Sequence, residues 1–269
     1  MLSESTRSDG RNNTDTLASH RESVERVITV MNERLEMTLS LQEMADIAYV
    51  SPYHFSRVFR STTGIPPSQF LYALRLKEAK RLLLTTEHSV TDICFGVGYN
   101  SLGTFTRRFT ELVGLTPTKL RALHQLASIL LSTFSNHYSD PINEKPHLYS
   151  LQGKINIPFP FAGLIFVGLF QSQIPQCQPV ACTFLTRAGT YYMSTVPSRF
   201  YSLFTAAYSC ALEPSYVGQA HRLLLLDNDQ ANTLVDLTLR PVRVTDPPIL
   251  LAVPHLFAQR FEITVAARN

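Results

Sequence analysis

The sequence predicts a multidomain protein, an all-α first half followed by a mainly-β sandwich. Three observations predict it. Apolar residues recur at helical spacing through the first 122 positions, and the pattern there repeats itself. Only four of the sixteen prolines fall before residue 124. Beyond it, short β-type runs alternate with turn residues. With 269 residues, 45% hydrophobic and 17% charged, the chain is long enough to bury one or two cores. No apolar run approaches the roughly 18 residues of a membrane span, and the polar start from Met1 to Asn13 lacks the apolar centre of a signal peptide. Cys94, Cys177, Cys182 and Cys210 show no framework spacing, which fits a reducing compartment. A cytoplasmic protein with no membrane partner is the expectation.

The net charge of +3 is unevenly spread. Residues 1–51 carry five Lys/Arg against nine Asp/Glu, residues 52–121 ten against four, and the remainder nine against eight. A basic block within an otherwise near-neutral chain is the footprint of a phosphate-facing surface, although a solvated basic face leaves the same trace.

The helical elements follow in order. Residues 1–18 read as a disordered tail. Val24, Val27, Ile28, Met31 and Leu35 mark an amphipathic helix over about 20–36, with Ser19 and Glu22 spaced as a capping box at its start. Ser40 and Glu43 repeat that box before a short helix with Leu41, Met44, Ala45 and Ile47 inward. Ser51-Pro52 is an N-cap followed by proline in the first turn, and it opens a third helix with Phe55, Val58 and Phe59 inward. Tyr53, Ser56, Arg57 and Arg60 then face outward. Two short helices joined by a tight turn make a helix-turn-helix, whose second helix enters the major groove.

This pattern occurs twice. Ser51-Pro-Tyr-His-Phe55-Ser-Arg57-Val-Phe59 is echoed by Ser101-Leu-Gly-Thr-Phe105-Thr-Arg107-Arg-Phe109. The offset of 50 also matches Gly64 with Gly114, Pro67 with Pro117 and Tyr49 with Tyr99. Between the copies, Pro67 to about Leu84 reads as one long helix with Phe70, Leu74, Ala79 and Leu83 inward, able to hold the two units at a fixed separation. The phenylalanines are core residues rather than base-stacking platforms.

Residues 23–122 resemble the DNA-binding domain of the AraC/XylS transcription regulators. The most specific carriers are Gly98-Tyr-Asn-Ser101-Leu-Gly-Thr-Phe105-Thr-Arg107-Arg-Phe109 and Gly114-Leu-Thr-Pro117-Thr-Lys-Leu-Arg121. The resemblance implies a seven-helix double helix-turn-helix over residues 19–123 and two recognition helices in successive major-groove segments on one face of double-stranded DNA. It implies base reading by Tyr53, Ser56 and Arg57 from the first, and by Leu102, Gly103, Thr106 and Arg107 from the second. Arg60, Arg108 and Lys119 are placed for phosphate, with solvation alone the alternative for Arg60 and Arg108. Leu102-Gly103 departs from the family, which often places hydrogen-bonding side chains there. Neither donates to a base edge, so the second unit is expected to anchor more than it reads. An activator of transcription is the implied role, with RNA polymerase, a small-molecule effector and a second copy of the chain as further partners.

A helix end and linker, residues 124–147, lead into the β region. Seven β-type runs follow: 153–157, 164–170, 180–185, 191–196, 200–206, 222–226 and 233–239. Gly153-Lys-Ile, Gly189-Thr-Tyr191-Tyr-Met-Ser-Thr-Val-Pro197 with Tyr201, and Val235-Asp-Leu-Thr-Leu239 make residues 148–240 resemble the transthyretin-like or carboxypeptidase-regulatory-like sandwich. Arg199 and Phe200 stand where that pattern turns through glycine, and a GyrI-like effector-binding domain is the alternative. The tail, 241–269, holds an Ile249-Leu-Leu-Ala-Val run free to pair with the sheet or with a second subunit. The region is nearly neutral and is expected to make no DNA contacts.

Catalytic and metal signatures are lacking. There is no G-x-S-x-G, H-E-x-x-H or P-loop, and Asp227-Asn-Asp229 starts a calcium loop that Ala231 ends. Cys177 and Cys182 read as ordinary buried thiols, since metal binding would need a second Cys or His pair nearby. The expectation is a non-enzyme without cofactor.

Overall fold

The computed structural model describes residues 6–122, 150–172, 174–194, 199–209, 213–219, 224–226, 232–253 and 256. Seven helices come first: α1 (Thr6–Glu33), α2 (Leu41–Ile47), α3 (Pro52–Thr63), α4 (Pro67–Thr85), α5 (Val90–Gly96), α6 (Leu102–Val113) and α7 (Pro117–Ala122). The expected linker, 124–147, lies outside the described residues, as do the ends of two expected strands at 195–196 and 222–223.

Two sequence readings are corrected at the start. The tail expected to be disordered is helical from Thr6, and α1 passes through Ser19 and Glu22 without a cap. The buried stripe Val24, Val27, Ile28 and Met31 fixes the helix, and once nucleated it extends backwards at little cost per residue. Ser40 does cap α2: its Oγ accepts from Glu43 N–H at 3.2 Å while Glu43 Oε2 accepts from Ser40 N–H at 2.7 Å. Leu41, expected inward, is 44% exposed, because it begins α2 and the inward stripe starts a turn later at Met44 and Ala45.

Helix α4 joins two cores. Phe70, Leu71 and Leu74 pack with α1–α3 around Phe55 and Phe59, whereas Ala73, Leu76, Ala79 and Leu83 pack with α5–α7 around Phe105 and Phe109. The two cores are built alike. Phe55 meets Phe59 edge-on at 5.4 Å between centroids, and Phe105 meets Phe109 at 5.5 Å. A helix buried on so many faces cannot be a surface spacer.

Ten strands follow among the described residues: β1 (Ser150–Asn156), β2 (Leu164–Phe170), β3 (Ala181–Leu185), β4 (Thr190–Ser194), β5 (Arg199–Tyr208), β6 (Tyr216–Gln219), β7 (Leu224–Leu226), β8 (Asn232–Leu234), β9 (Leu237–Thr238) and β10 (Arg240–Pro241). Strand β6 was not foreseen; its glycine and short length hide it. One sheet runs β4-β1-β8 with β9 also on β1, which is antiparallel to β4 and parallel to β8 and β9. The other runs β10-β6-β5-β2-β3 with β7 also on β5, all antiparallel. Leu151 and Ile155 of β1 share a core with Val167 of β2 and Leu203 of β5, so the two sheets bury a common face.

Gly153 makes the first sheet possible. A Cβ there would lie 1.8 Å from Val235 O, which accepts from Tyr191 Oη at 2.6 Å. Asp236 Oδ1 beside it accepts from Lys154 N–H at 2.7 Å. The connection between β8 and β9 is thereby laid across β1.

Strand β2 is buried on both sides. Its second face, with Phe166 and Phe170, is covered by Ile249, Leu251 and Val253. Of the two partners the sequence leaves open for this run, the sheet takes it, by packing on its face rather than extending its edge. Its even-numbered residues, Leu250 and Ala252, belong to the second helical core.

Candidate nucleic-acid interface

Each recognition helix is set by the same local chemistry. Ser51 Oγ accepts from His54 N–H and Ser101 Oγ from Thr104 N–H, both at 3.4 Å. Both helices end on a left-handed glycine, Gly64 at φ 84° and Gly114 at φ 88°. Only glycine adopts that conformation without steric cost. The first helices of the two units are capped by Ser40 and Ser89.

The repeat contains one slip in register. Helices α2 and α5 are offset by 49, α3 and α6 by 50. The hydrogen bonds Tyr49 N–H to Asp46 O and Val50 N–H to Ala45 O have their counterparts in Gly98 N–H to Phe95 O and Tyr99 N–H to Cys94 O. Tyr49 therefore corresponds to Gly98, not to Tyr99, and Asn100 is an extra residue in the second turn. The environments agree: Tyr49 is 83% exposed and left-handed at φ 59°, whereas Tyr99 is 5% exposed and packs on Phe105. The Arg26 guanidinium lies 5.3 Å from the centroid of the Tyr49 ring.

The structure brings the sequence-selected side chains onto the outer faces of α3 and α6. Tyr53, Arg57 and Arg60 are exposed and Ser56 is half-buried between them. On α6, Leu102, Gly103 and Arg107 are exposed, Thr106 is half-buried, and together with Thr110 and Glu111 they line one shallow open groove. A Cβ on Gly103 would meet nothing closer than Ser101 Oγ at 3.9 Å, so the helix itself does not require that glycine. Lys119 is exposed on α7. Arg108 stands apart: it is half-buried, its guanidinium 4.5 Å from the Tyr72 ring centroid.

Arg108 belongs to a seam between the units that sequence reasoning missed. Arg75 of α4 donates from Nε to Leu35 O and from Nη2 to Met37 O, each at 2.8 Å. A Cβ on Gly98 would lie 2.4 Å from the same Leu35 O and 2.9 Å from Arg75 Cζ. The turn of the second unit thus rests on the loop after α1. The signal in the sequence is a charged residue, Arg75, flanked directly by the inward Leu74 and Leu76 of α4.

Cys177 corrects the expectation of two buried thiols. It is exposed and left-handed at φ 63°, in a loop shaped by its N–H donating to Leu112 O, while Cys182 is half-buried. No group of three potential metal ligands occurs among the described residues, and no helix among them is long and apolar enough to cross a membrane.

Two capped helix pairs, each presenting an arginine-bearing face, define a DNA-binding module of the helix-turn-helix class. Residues 44–123 match the family model of a helix-turn-helix domain, under a third of the chain, and the AraC-type assignment of this stretch is supported. Curated relatives include an uncharacterized HTH-type transcriptional regulator, YobQ, of Bacillus subtilis (strain 168), 32% identical over 94 residues, which are 35% of this chain and 39% of the relative. The bifunctional transcriptional activator/DNA repair enzyme AdaA of the same organism is 29% identical over 103 residues, 38% of this chain and 49% of the relative. The chain thus spans less than half the length of these two relatives. Among solved structures, an AraC-type transcriptional regulator from Chromobacterium violaceum is 27% identical with a TM-score of 0.38, covering 40% of this chain and 96% of that one. The DNA-binding domain of AdpA in complex with a target DNA is 31% identical with a TM-score of 0.37, covering 38% of this chain and 93% of that one.

Proposed function

We propose that the protein is a transcription regulator, an activator acting in the cytoplasm, that reads an asymmetric DNA element through α3 and α6. The observation that carries this reading is the duplicated unit itself: two identically capped helices, each with an outward arginine, joined by the buried helix α4. Two units in one chain need no two-fold axis. Successive major-groove faces lie about 34–36 Å apart, and the 19 residues of α4 span roughly 28 Å. The element then has two short blocks one helical turn apart.

Tyr53, Ser56 and Arg57 read bases in one block. Leu102, Gly103, Thr106 and Arg107 fit against the other, Leu102 offering a methyl contact to thymine. Arg60 and Lys119 take phosphates, and Arg108 reaches one only by leaving Tyr72. We read the β region as a transthyretin-like sandwich serving effector sensing or dimerisation; the core shared by its sheets supports the sandwich. RNA polymerase is the partner an activator requires.

The test is footprinting of one bound monomer on a duplex selected from a random pool, with and without half a turn inserted between the blocks. Loss of affinity on insertion is the expected result, with a steep salt dependence from about 6–10 phosphate contacts. Undiminished affinity would reduce the second unit to a structural role.

A further inference from the structure

The two recognition helices end differently. Gly64 N–H closes α3 on Arg60 O and Gly114 N–H closes α6 on Thr110 O, leaving the later carbonyls of each helix without intrahelical donors. On α6 the β region supplies them: Cys177 N–H donates to Leu112 O at 3.2 Å and Ala252 N–H to Val113 O at 3.3 Å. Among the described residues, no backbone group of the β region donates to α3.

The same short segment is held from three sides. Leu250 and Ala252 sit in the core of the second unit, and Ile249, Leu251 and Val253 in the cluster on β2. Lys80 of α4 is fully buried, and its Nζ donates to Ile249 O at 3.2 Å and to Leu251 O at 3.3 Å. At the rim, Lys77 pairs with Glu213 at 3.8 Å. Docking takes the Lys80 amine out of water, and its two hydrogen bonds offset that cost only where Ile249 O and Leu251 O meet it, so they fix the register of the docked segment. Among the described residues, the first unit's core receives the side chain of Ile174 from the β region and no backbone cap.

We propose that residues 249–253 are a latch through which the β region seats the second recognition helix. With the latch docked, the last turn of α6 is capped and its core is filled, and α6 is held ready for DNA. With it released, α6 loses a donor and part of its core, while α3, which takes no backbone donor from the β region among the described residues, is unchanged and stays competent. The β region thereby chooses between reading two blocks and reading one. Coupling is reciprocal, so DNA bound on α6 must tighten the latch although the latch touches no DNA. This inference rests on the DNA-binding reading above.

Hydrogen exchange on the unmodified full chain tests it, using the duplex selected by that chain and the same duplex with its second block scrambled. Exchange at the amides of Ala252 and Cys177 should slow about tenfold with the two-block duplex and stay at the free rate with the scrambled one. In parallel, Leu250→Asp and the milder Lys80→Met should each bind the two-block duplex no more tightly than the scrambled one. Their footprint on the second block should vanish while first-block affinity is kept. If Leu250→Asp also loses the first block it has unfolded, and Lys80→Met with the exchange comparison decides. Equal exchange with both duplexes, or a full two-block footprint from Lys80→Met, overturns the latch and leaves the DNA reading standing. An unmodified chain that binds neither duplex overturns the DNA reading and the latch together.

Discussion

At the scale of the residue, the proposed interface turns on a few side chains whose freedom differs. Arg57 is exposed on α3, and its fork can pair with the two acceptors of a guanine. Replacement by alanine should cost roughly 1–3 kcal/mol of binding and relax specificity within the first block alone. Measured affinities for single-base variants of each block will show whether the loss is confined there. Tyr49 and Gly98 occupy equivalent left-handed turn positions, which makes them a matched pair. Gly98→Ala adds a left-handed Cβ only 2.4 Å from Leu35 O and should destabilise the fold by about 2 kcal/mol or more. Tyr49→Gly removes the same backbone strain in an exposed turn. It should raise stability by up to about 1 kcal/mol, the relief exceeding a cation–π contact with Arg26 of about 0.5 kcal/mol. Thermal melts of both variants check the pair, and shifts of the same sign would contradict the register.

At the scale of the element, α3 and α6 are alike in length and capping but unlike in what they present. A glycine inside a helix costs up to about 0.5–1 kcal/mol against alanine, less in the first turn where Gly103 stands, and a Cβ there would meet nothing closer than Ser101 Oγ at 3.9 Å. Gly103→Ala should therefore stabilise the free protein by up to that amount. If the glycine exists for close approach of backbone to DNA, the same change should weaken binding to the second block by tenfold or more. Melting temperature and affinity moving in opposite directions would establish that purpose; unchanged affinity would leave α6 an anchor with room to spare. These helices were legible in the sequence because their signals are local: serine caps, proline in the first turn, glycine at the end, phenylalanines four apart. The slip at Asn100 was not, because an offset of 50 looks consistent when two tyrosines happen to match. Nor was the seam at Arg75, whose carbonyl partners lie 38 and 40 residues back along the chain.

At the scale of the whole molecule, the two halves look separate in sequence, and the structure stitches them together through Leu250, Ala252 and Lys80. Lys80 and Ile249 are 169 residues apart, so neither the buried lysine nor the docked run had a local sign. Solvent exclusion also fixes how the fold should respond to alkali. Burial raises the Cys182 thiol to about 11 and pushes up the phenols of Tyr191 and Tyr208. The unfolded chain releases those protons near pH 8.5 for a thiol and near 10 for a phenol. Between those values and the folded ones the unfolded state binds fewer protons, so stability falls as pH rises. Lys80 acts in the opposite sense. Burial lowers its pKa, so below the unfolded value near 10.4 the unfolded amine keeps a proton that the folded one gives up, and stability rises with pH. Cys182, Tyr191 and Tyr208, joined by Cys94, Cys177 and Tyr99, which burial shifts the same way, oppose Lys80 alone, and they should prevail. The protein should hold its melting temperature from neutrality to about pH 8 and lose stability above about pH 9, by roughly 2–3 kcal/mol from Cys182 alone. Cys182→Ala should make the loss above about pH 9 shallower, leaving the part that comes from Cys94, Cys177 and the phenols. Melts between pH 7 and 11 decide the matter, and a melting temperature that climbs through this interval would make Lys80 the dominant titrating group.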